Sequence, residues 1–302
     1  MKLGITLADF SWDIPVADIG STVADLAQQA DDSGFDSLWV MDHFFQIGLT
    51  GQPPESPMPE AYATLGFLAG RTRRIRFGTL VTSVAYRHPG VLIKSATTLD
   101  VLSGGRTYFG IGAGAPFDPE PRGPETVFEG EGLGIAFPRL AERFERLEDV
   151  LRLAHQMWRG DETPFRGRHY ELVRPLNSPN SVQRPHPPIL VAGSGERKTL
   201  RLVARYADAC NLFDLPGSGF ADDLEHKLEV LHKHCDEAGR DPGEIEKTVA
   251  SHFDPGDRDR FVEHMRELAG LGIDHVLISP PGPWDSARLA AVAEALPDIH
   301  AF

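Results

Sequence analysis

Short apolar stretches rich in β-branched and aromatic residues alternate along this chain with longer segments of helical spacing, and the alternation runs through eight rounds. The strand-like stretches are residues 2–8, 36–41, 74–81, 106–111, 188–192, 209–212, 245–251 and 273–279. Strands separated by helices pair in parallel, and eight of them close a cylinder, so the order predicts an α/β protein with a (β/α)8 TIM barrel. Side chains fill the inside of such a barrel. Chemistry is therefore confined to the loops that follow the C-terminal ends of the strands.

A length of 302 residues suits one barrel domain of roughly 250 residues with insertions, so residues 1–302 are read as a single domain. Two connections exceed ordinary loop length: residues 113–136, after the fourth strand, and residues 159–187, before the fifth, which hold five prolines. Both are expected to be active-site lids. The remaining connections carry helical patterns at residues 16–33, 59–70, 88–102, 138–158 and 199–206. Arg71, Arg73, Arg74 and Arg76 follow the second of these helices and are read as offsetting its dipole.

Hydrophobic residues at 41% can supply a core, and a formal charge of −14 opposes binding to nucleic acid or anionic membrane. A small-molecule substrate is expected instead. The start, MKLGITLADF, enters a strand without the pattern of a signal peptide, and no apolar run approaches the ~20 residues of a membrane span. Cys210 and Cys235 have no metal-ligand spacing and are read as inert thiols in a reducing cytoplasm.

The second strand delivers Asp42 and His43 to the rim where catalysis is expected. An imidazole with an ordinary pKa of ~6.5 can give or take a proton near neutrality, so His43 is the leading catalytic candidate, with Asp42 orienting it or capping a turn. The fourth strand ends in Gly110-Ile111-Gly112-Ala113-Gly114, where glycine lets backbone approach a planar ligand or turn with positive φ. No third glycine opens a helix there, which sets aside a dinucleotide fingerprint. Pro187 to Arg197 reads as a strand turning through Gly193 and Gly195 into a helix, a setting for a phosphate at the helix start or a plain strand-to-helix turn. Glu129 and Glu131 form a candidate carboxylate pair but read more simply as solvated. His252, at the predicted end of the seventh strand, could face the pocket but reads more simply as a loop histidine, and His186 and His88 have less support still.

Taken together, GFDSLWVMDHF, RIRFGTLVTSVAYRHPGVLIKSATTLDVLSGGR, YFGIGAG, FPRLAERFERLEDVLRLAHQMW, FRGRHYEL, PPILVAGSGERKTLRLVARYADACN and LGIDHV make the chain resemble the luciferase-like monooxygenase superfamily. Within it, the resemblance is to the branch that uses the deazaflavin coenzyme F420. It implies a luciferase-like TIM barrel, usually a homodimer, that moves a hydride between the coenzyme and a small organic substrate. It places Asp42 and His43 beside the tricyclic ring and Leu80-Val81 at a bulge with a non-proline cis peptide backing that ring. Thr82 and Ser83 would then touch the cofactor, Gly112 and Gly114 would floor its pocket, Ala192 would bind it, and the backbone of Gly193, Ser194, Gly195 and Glu196 would hold its phosphate. The chain departs from the pattern after GIGAG, where Ala115-Pro116-Phe117-Asp118 and an acidic stretch intervene. Asp118 and Glu131 are substitutes there, and the substrate is left unassigned.

Three other readings compete. An FMN-dependent two-component monooxygenase would use the same pocket, because FMN also has a tricycle and a phosphate. A non-catalytic flavin-binding relative would have its substrate cavity closed. A metal-dependent barrel hydrolase would need several ligands at strand ends, where the sequence offers Asp42, His43 and His252.

Overall fold

The computed structural model describes residues 1–114, 129–216, 220–221, 223–252 and 257–302. Its strands are β1 (Lys2–Leu7), β2 (Ser37–Val40), β3 (Arg76–Thr79), β4 (Phe109–Gly112), β5 (Ile189–Ala192), β6 (Ala209–Leu215), β7 (Glu246–His252) and β8 (His275–Ser279). All pair in parallel in the order β3-β2-β1-β8-β7-β6-β5-β4. A two-residue strand, Thr82–Ser83, resumes the third stave beyond Leu80-Val81 and pairs with β4, while Phe77 bridges Thr107 lower down. The third stave thus closes the cylinder, with one half on β2 and the other on β4.

Its eight principal helices are α1 (Ile19–Ser33), α2 (Ala61–Ala69), α3 (Pro89–Ser103), α4 (Leu140–Trp158), α5 (Thr199–Tyr206), α6 (Leu224–Ala238), α7 (Arg258–Gly270) and α8 (Ser286–Ala293). Asp223, Asp257 and Asp285 cap the last three by accepting from backbone N–H groups of the first turn. Apolar faces of α1, α2, α7 and α8 bury one side of the barrel, and those of α3, α4 and α5 the other. Inside, Trp39, Tyr108, Leu190, Ala209 and Leu277 form a separate cluster. Trp39 Nε1 donates to Ser37 Oγ at 2.6 Å, Ser37 shares a hydrogen bond with His275, and Tyr108 donates to Glu246 at 2.9 Å. This aromatic and polar plug fills the lower barrel, so open volume is left at the C-terminal ends of the strands.

Several expectations are corrected. The predicted strand over 74–81 spans only Arg76–Thr79; Leu80-Val81, joined by a cis peptide, form a bulge, and the strand Thr82–Ser83 follows. The predicted lid over 159–187 lies outside the cavity wall. The segment packs on the outside of the barrel: its hairpin Phe165–Leu172 reaches the start of α3, where Tyr170 meets His88, and its C-terminal part lies on the face opposite the catalytic rim. There Gln183 bonds Asp100, the Thr107 carbonyl and Arg76. The arginines after α2 are structural: the buried Asp31 carboxylate accepts from the N–H groups of Arg73, Arg74 and Ile75, and Arg76 stacks on Tyr108 at 4.3 Å. Cys210 and Cys235 are free, buried thiols, and burial pushes Cys210 up to about 12.

Candidate active site

The mouth of the barrel opens into a cavity of about 870 Å³ lined by residues from all eight strand ends. Two and three residues past β2, positions that strand connectivity fixes, Asp42 and His43 form part of its wall. Asp42 is fully buried and does not orient the imidazole as expected. Its two oxygens accept from Arg87 at 2.5 and 2.9 Å, a bidentate geometry that neutralises a buried carboxylate well. Arg87 also donates to Glu60 and stacks over Tyr62 at 5.0 Å. These carboxylates hold its charge more firmly than burial alone would allow.

His43 is held by Glu129. Nδ1 donates to Oε1 at 2.6 Å, Tyr86 donates its hydroxyl to the same oxygen, and Oε2 accepts from the N–H groups of Phe44 at 2.5 Å and Phe45 at 3.3 Å. Glu129 stands in the single helical turn Glu129–Gly132 and is 3% exposed, so the expectation of a solvated residue is overturned. Burial works to raise its pKa, but hydrogen bonds from His43, Tyr86 and Phe44 outweigh that and keep the carboxyl below its ordinary range. Burial and the neighbouring Glu129 together push the Tyr86 phenol far upward. Glu131 is exposed, so the two glutamates do not form a carboxylate pair. Asp118 lies outside the described residues.

Opposite β7, the bulge presents Leu80 and Val81 to the cavity. Close approach of β3 and β4 makes room for it: a Cβ on Gly110 would stand 1.9 Å from the Thr79 carbonyl oxygen, and one on Gly114 would stand 2.3 Å from Ser83 Oγ. Gly112 and Gly114 line the cavity, and Gly114 also leaves room for Ser83. Ser83 lines it too, but Thr82 does not. Its hydroxyl turns into the wall, 3.0 Å from Thr79 Oγ1 and 3.2 Å from Tyr62; burial pushes the Tyr62 phenol up to about 12.

Across β5, Ala192, Gly193, Ser194 and Gly195 form the turn into α5. Gly193 has φ +118°, a conformation that favours glycine, but its N–H donates to the Asn211 carbonyl at 3.1 Å and is already used. Glu196 follows the turn with its side chain directed elsewhere. Its carboxylate pairs with Lys227 at 2.5 Å, its carbonyl accepts from His234, and it is absent from the cavity wall. Lys198 lies beside the turn, over the Phe144 ring at 5.1 Å.

His252 ends β7 and lines the cavity with Ser279, its Nδ1 3.5 Å from that hydroxyl; it is a strand residue, not a loop one. His186 stacks on Trp158 and His88 precedes α3 against Tyr170, both away from the cavity. Among the described residues no three His, Cys, Asp or Glu side chains cluster as metal ligands, and no helix is long and apolar enough to cross a membrane.

A closed parallel barrel with an imidazole on its rim, a bulge in the third stave and a glycine turn after the fifth is the arrangement of one enzyme class. The model of that family, luciferase-like monooxygenase, matches residues 1–295, and the chain belongs to it. The F420-dependent glucose-6-phosphate dehydrogenase of Kineococcus radiotolerans is 32% identical over 279 residues, covering 89% of this chain and 74% of that protein. The enzyme of the same name from Nakamurella multipartita is 30% identical over 284 residues, covering 92% and 76%. Two solved structures share the fold at lower identity. An F420-dependent secondary alcohol dehydrogenase bound to an F420-acetone adduct superposes with a TM-score of 0.79 at 17% identity, over 99% of this chain and 98% of that one. A coenzyme F420-dependent tetrahydromethanopterin reductase from Methanopyrus kandleri gives 0.75 at 18%, over 97% of each chain.

Proposed function

We propose that this chain is a coenzyme F420-dependent oxidoreductase that moves a hydride between the deazaflavin and a small organic substrate. The observation that carries this reading is the His43–Glu129 pair, buried on the wall of a cavity that also holds an apolar bulge and a glycine turn. The residues fit a phosphorylated tricycle. Leu80 and Val81 offer it an apolar floor, and a Cβ on Gly195 would stand 2.8 Å from Thr199 Oγ1 where the turn must stay slim. Thr6 Oγ1, buried on the cavity wall, has no partner among the described residues. Ser194, Gly195 and Lys198 would hold the phosphate near the start of α5.

When bound, the deazaflavin supplies a two-electron carrier that accepts or gives hydride at carbon five and reacts poorly with oxygen. The chain supplies the rest. With Nδ1 given to Glu129, His43 uses Nε2 to take or return the proton that accompanies hydride movement. Glu129 fixes the ring, while Tyr86 and the Phe44 N–H anchor Glu129. Arg87 neutralises Asp42, so that a second buried carboxylate does not perturb the site. On the family resemblance we also read residues 1–302 as one domain, working as a homodimer in a reducing cytoplasm.

Fluorescence titration with F420 and with FMN tests the cofactor. F420 is expected to bind the more tightly, and FMN binding coupled to oxygen uptake would overturn the reading in favour of a two-component monooxygenase. His43→Ala is expected to keep coenzyme affinity and lose turnover; unchanged turnover removes His43 from the mechanism.

A further inference from the structure

In a ring of eight staves the third faces the seventh, so the wall across from the bulge comes from β6, β7, β8 and the loop after β8. It is built of Phe213, Leu215, Leu277, Pro280, Pro281 and Trp284. Phe213 and Leu215 alternate along β6 and face the cavity together, while Asp214 between them turns away to Ser251 and His264. Ile47, from the loop after β2, adds to the same apolar lining.

The charge around the cavity is as informative as its shape. Among the described residues its wall carries Asp9, Asp42, His43 and His252, and no lysine or arginine. The cations just behind the wall are already engaged in part or in full: Arg87 by Asp42 and Glu60, Arg288 by the Pro283 carbonyl and Asp285, and Arg143 through one nitrogen by the Ala113 and Gly114 carbonyls, its Nε having no partner among the described residues. Residues 115–128, 217–219, 222 and 253–256 contain one basic side chain, Arg122, against Asp118, Glu120, Glu125, Asp222 and Asp254. The glycine turn with Lys198 suits one phosphate, and the coenzyme brings its own. A second phosphate would enter an apolar space bordered by carboxylates, with no partner to repay its lost hydration.

We infer that the substrate is an uncharged, largely apolar alcohol or the corresponding ketone, and that this cavity rejects the sugar phosphate named for the curated relatives. This rests on the reading of the chain as an F420-dependent oxidoreductase. In the oxidative direction the carbinol carbon gives its hydride to the oxidised coenzyme and the hydroxyl gives its proton to His43. The carbon–oxygen single bond becomes a carbonyl, and the coenzyme is reduced by two electrons.

The test uses protein reconstituted with F420 and offered 2-propanol, 2-butanol, 2-pentanol, 2-hexanol, glucose and glucose 6-phosphate. Efficiency is expected to rise about fourfold with each added methylene, the gain that follows from ~0.8 kcal/mol per buried CH2, with glucose 6-phosphate inert. Calorimetry on the coenzyme-free protein supplies a readout independent of turnover: 2-hexanone binds, and glucose 6-phosphate does not. Leu215→Ala is expected to lower the efficiency with 2-hexanol about fivefold or more, and to lower that with 2-propanol by less. Saturable binding or turnover of glucose 6-phosphate overturns the inference, as does F420 binding with no turnover across the alcohols and their ketones. Failure to bind F420 at all refutes the underlying assignment instead.

Discussion

Replacing Gly110 with alanine tests how the seam of the barrel is built. The added Cβ would lie 1.9 Å from the Thr79 carbonyl oxygen, where ordinary contact begins at 3.4 Å, so the strands must part by about 1.5 Å. They are not free to do so. Thr79 Oγ1 donates to the Gly110 carbonyl at 2.9 Å, and on the other side the Leu80 N–H donates to the Val40 carbonyl at 2.8 Å. Weakening both bonds costs about 1–3 kcal/mol together, and the overpacking itself adds about 1–3 kcal/mol. A loss of about 2–6 kcal/mol is a large part of a typical domain's stability. In urea, followed by fluorescence of the buried Trp39, Trp158 and Trp284, the midpoint is expected to fall by roughly 1–2 M for a chain this size. Because Leu80 and Val81 ride on the same contact, F420 affinity measured by titration is expected to fall at least about tenfold, roughly the 1.4 kcal/mol that a displaced floor would cost. A midpoint within about 0.2 M of wild type and unchanged affinity would refute this account of the seam.

Three further outcomes follow from the site. Glu129→Gln removes the carboxylate from His43, and loss of a charge-assisted hydrogen bond of about 1.5–3 kcal/mol lowers kcat about 10- to 150-fold. Coenzyme affinity stays nearly constant, and a parallel loss of affinity would show that Glu129 builds the pocket and does not act through His43. Tyr86→Phe, which keeps the carboxylate, is expected to lose less activity than Glu129→Gln in the same assay; a larger loss would make the phenol, and not the carboxylate, the main support of His43. The third concerns His264, 2.6 Å from Asp214, whose pKa is raised by that hydrogen bond and charge against the opposing effect of burial. A raised histidine stabilises fully below its unfolded value of ~6.5 and loses the contribution as pH rises through the folded value. The Tm gap between wild type and His264→Gln should therefore narrow from pH 5.5 to pH 8.5, and a gap that widens would reverse the assignment.

What the sequence disclosed is what periodicity and connectivity encode. Alternating runs set the number of staves, and the rule that loops after strands gather at one rim put Asp42 and His43 at the cavity. The partner of His43 was harder to see, because Glu129 sits in a stretch rich in glycine and acid that resembles a solvated loop. Its signal lies in the apolar residues around it, Val127 and Phe128 before and Leu133 and Ile135 after. Thr82 and Ser83 were indistinguishable by residue type, and the bulge at Leu80-Val81 determines which of them faces inward. Residues 159–187 misled through length alone, since a helix-to-strand connection ends on the wrong face to cover the mouth. Arg87 lies within a stretch shared with the family but has no chemical signature of its own there, and its role depends on the approach of the segment before α3 to the end of β2.

The third stave, divided between its two neighbours, makes the joint that completes the wall also the bed for a ligand's flat face. Occupancy and mechanical rigidity should then rise together: a bound ring would clamp the two halves and slow amide exchange at Val84 and Tyr108, whose N–H groups bond to Gly112 and Phe77 across that joint. Variation that retunes the bed would be felt first as a looser cylinder.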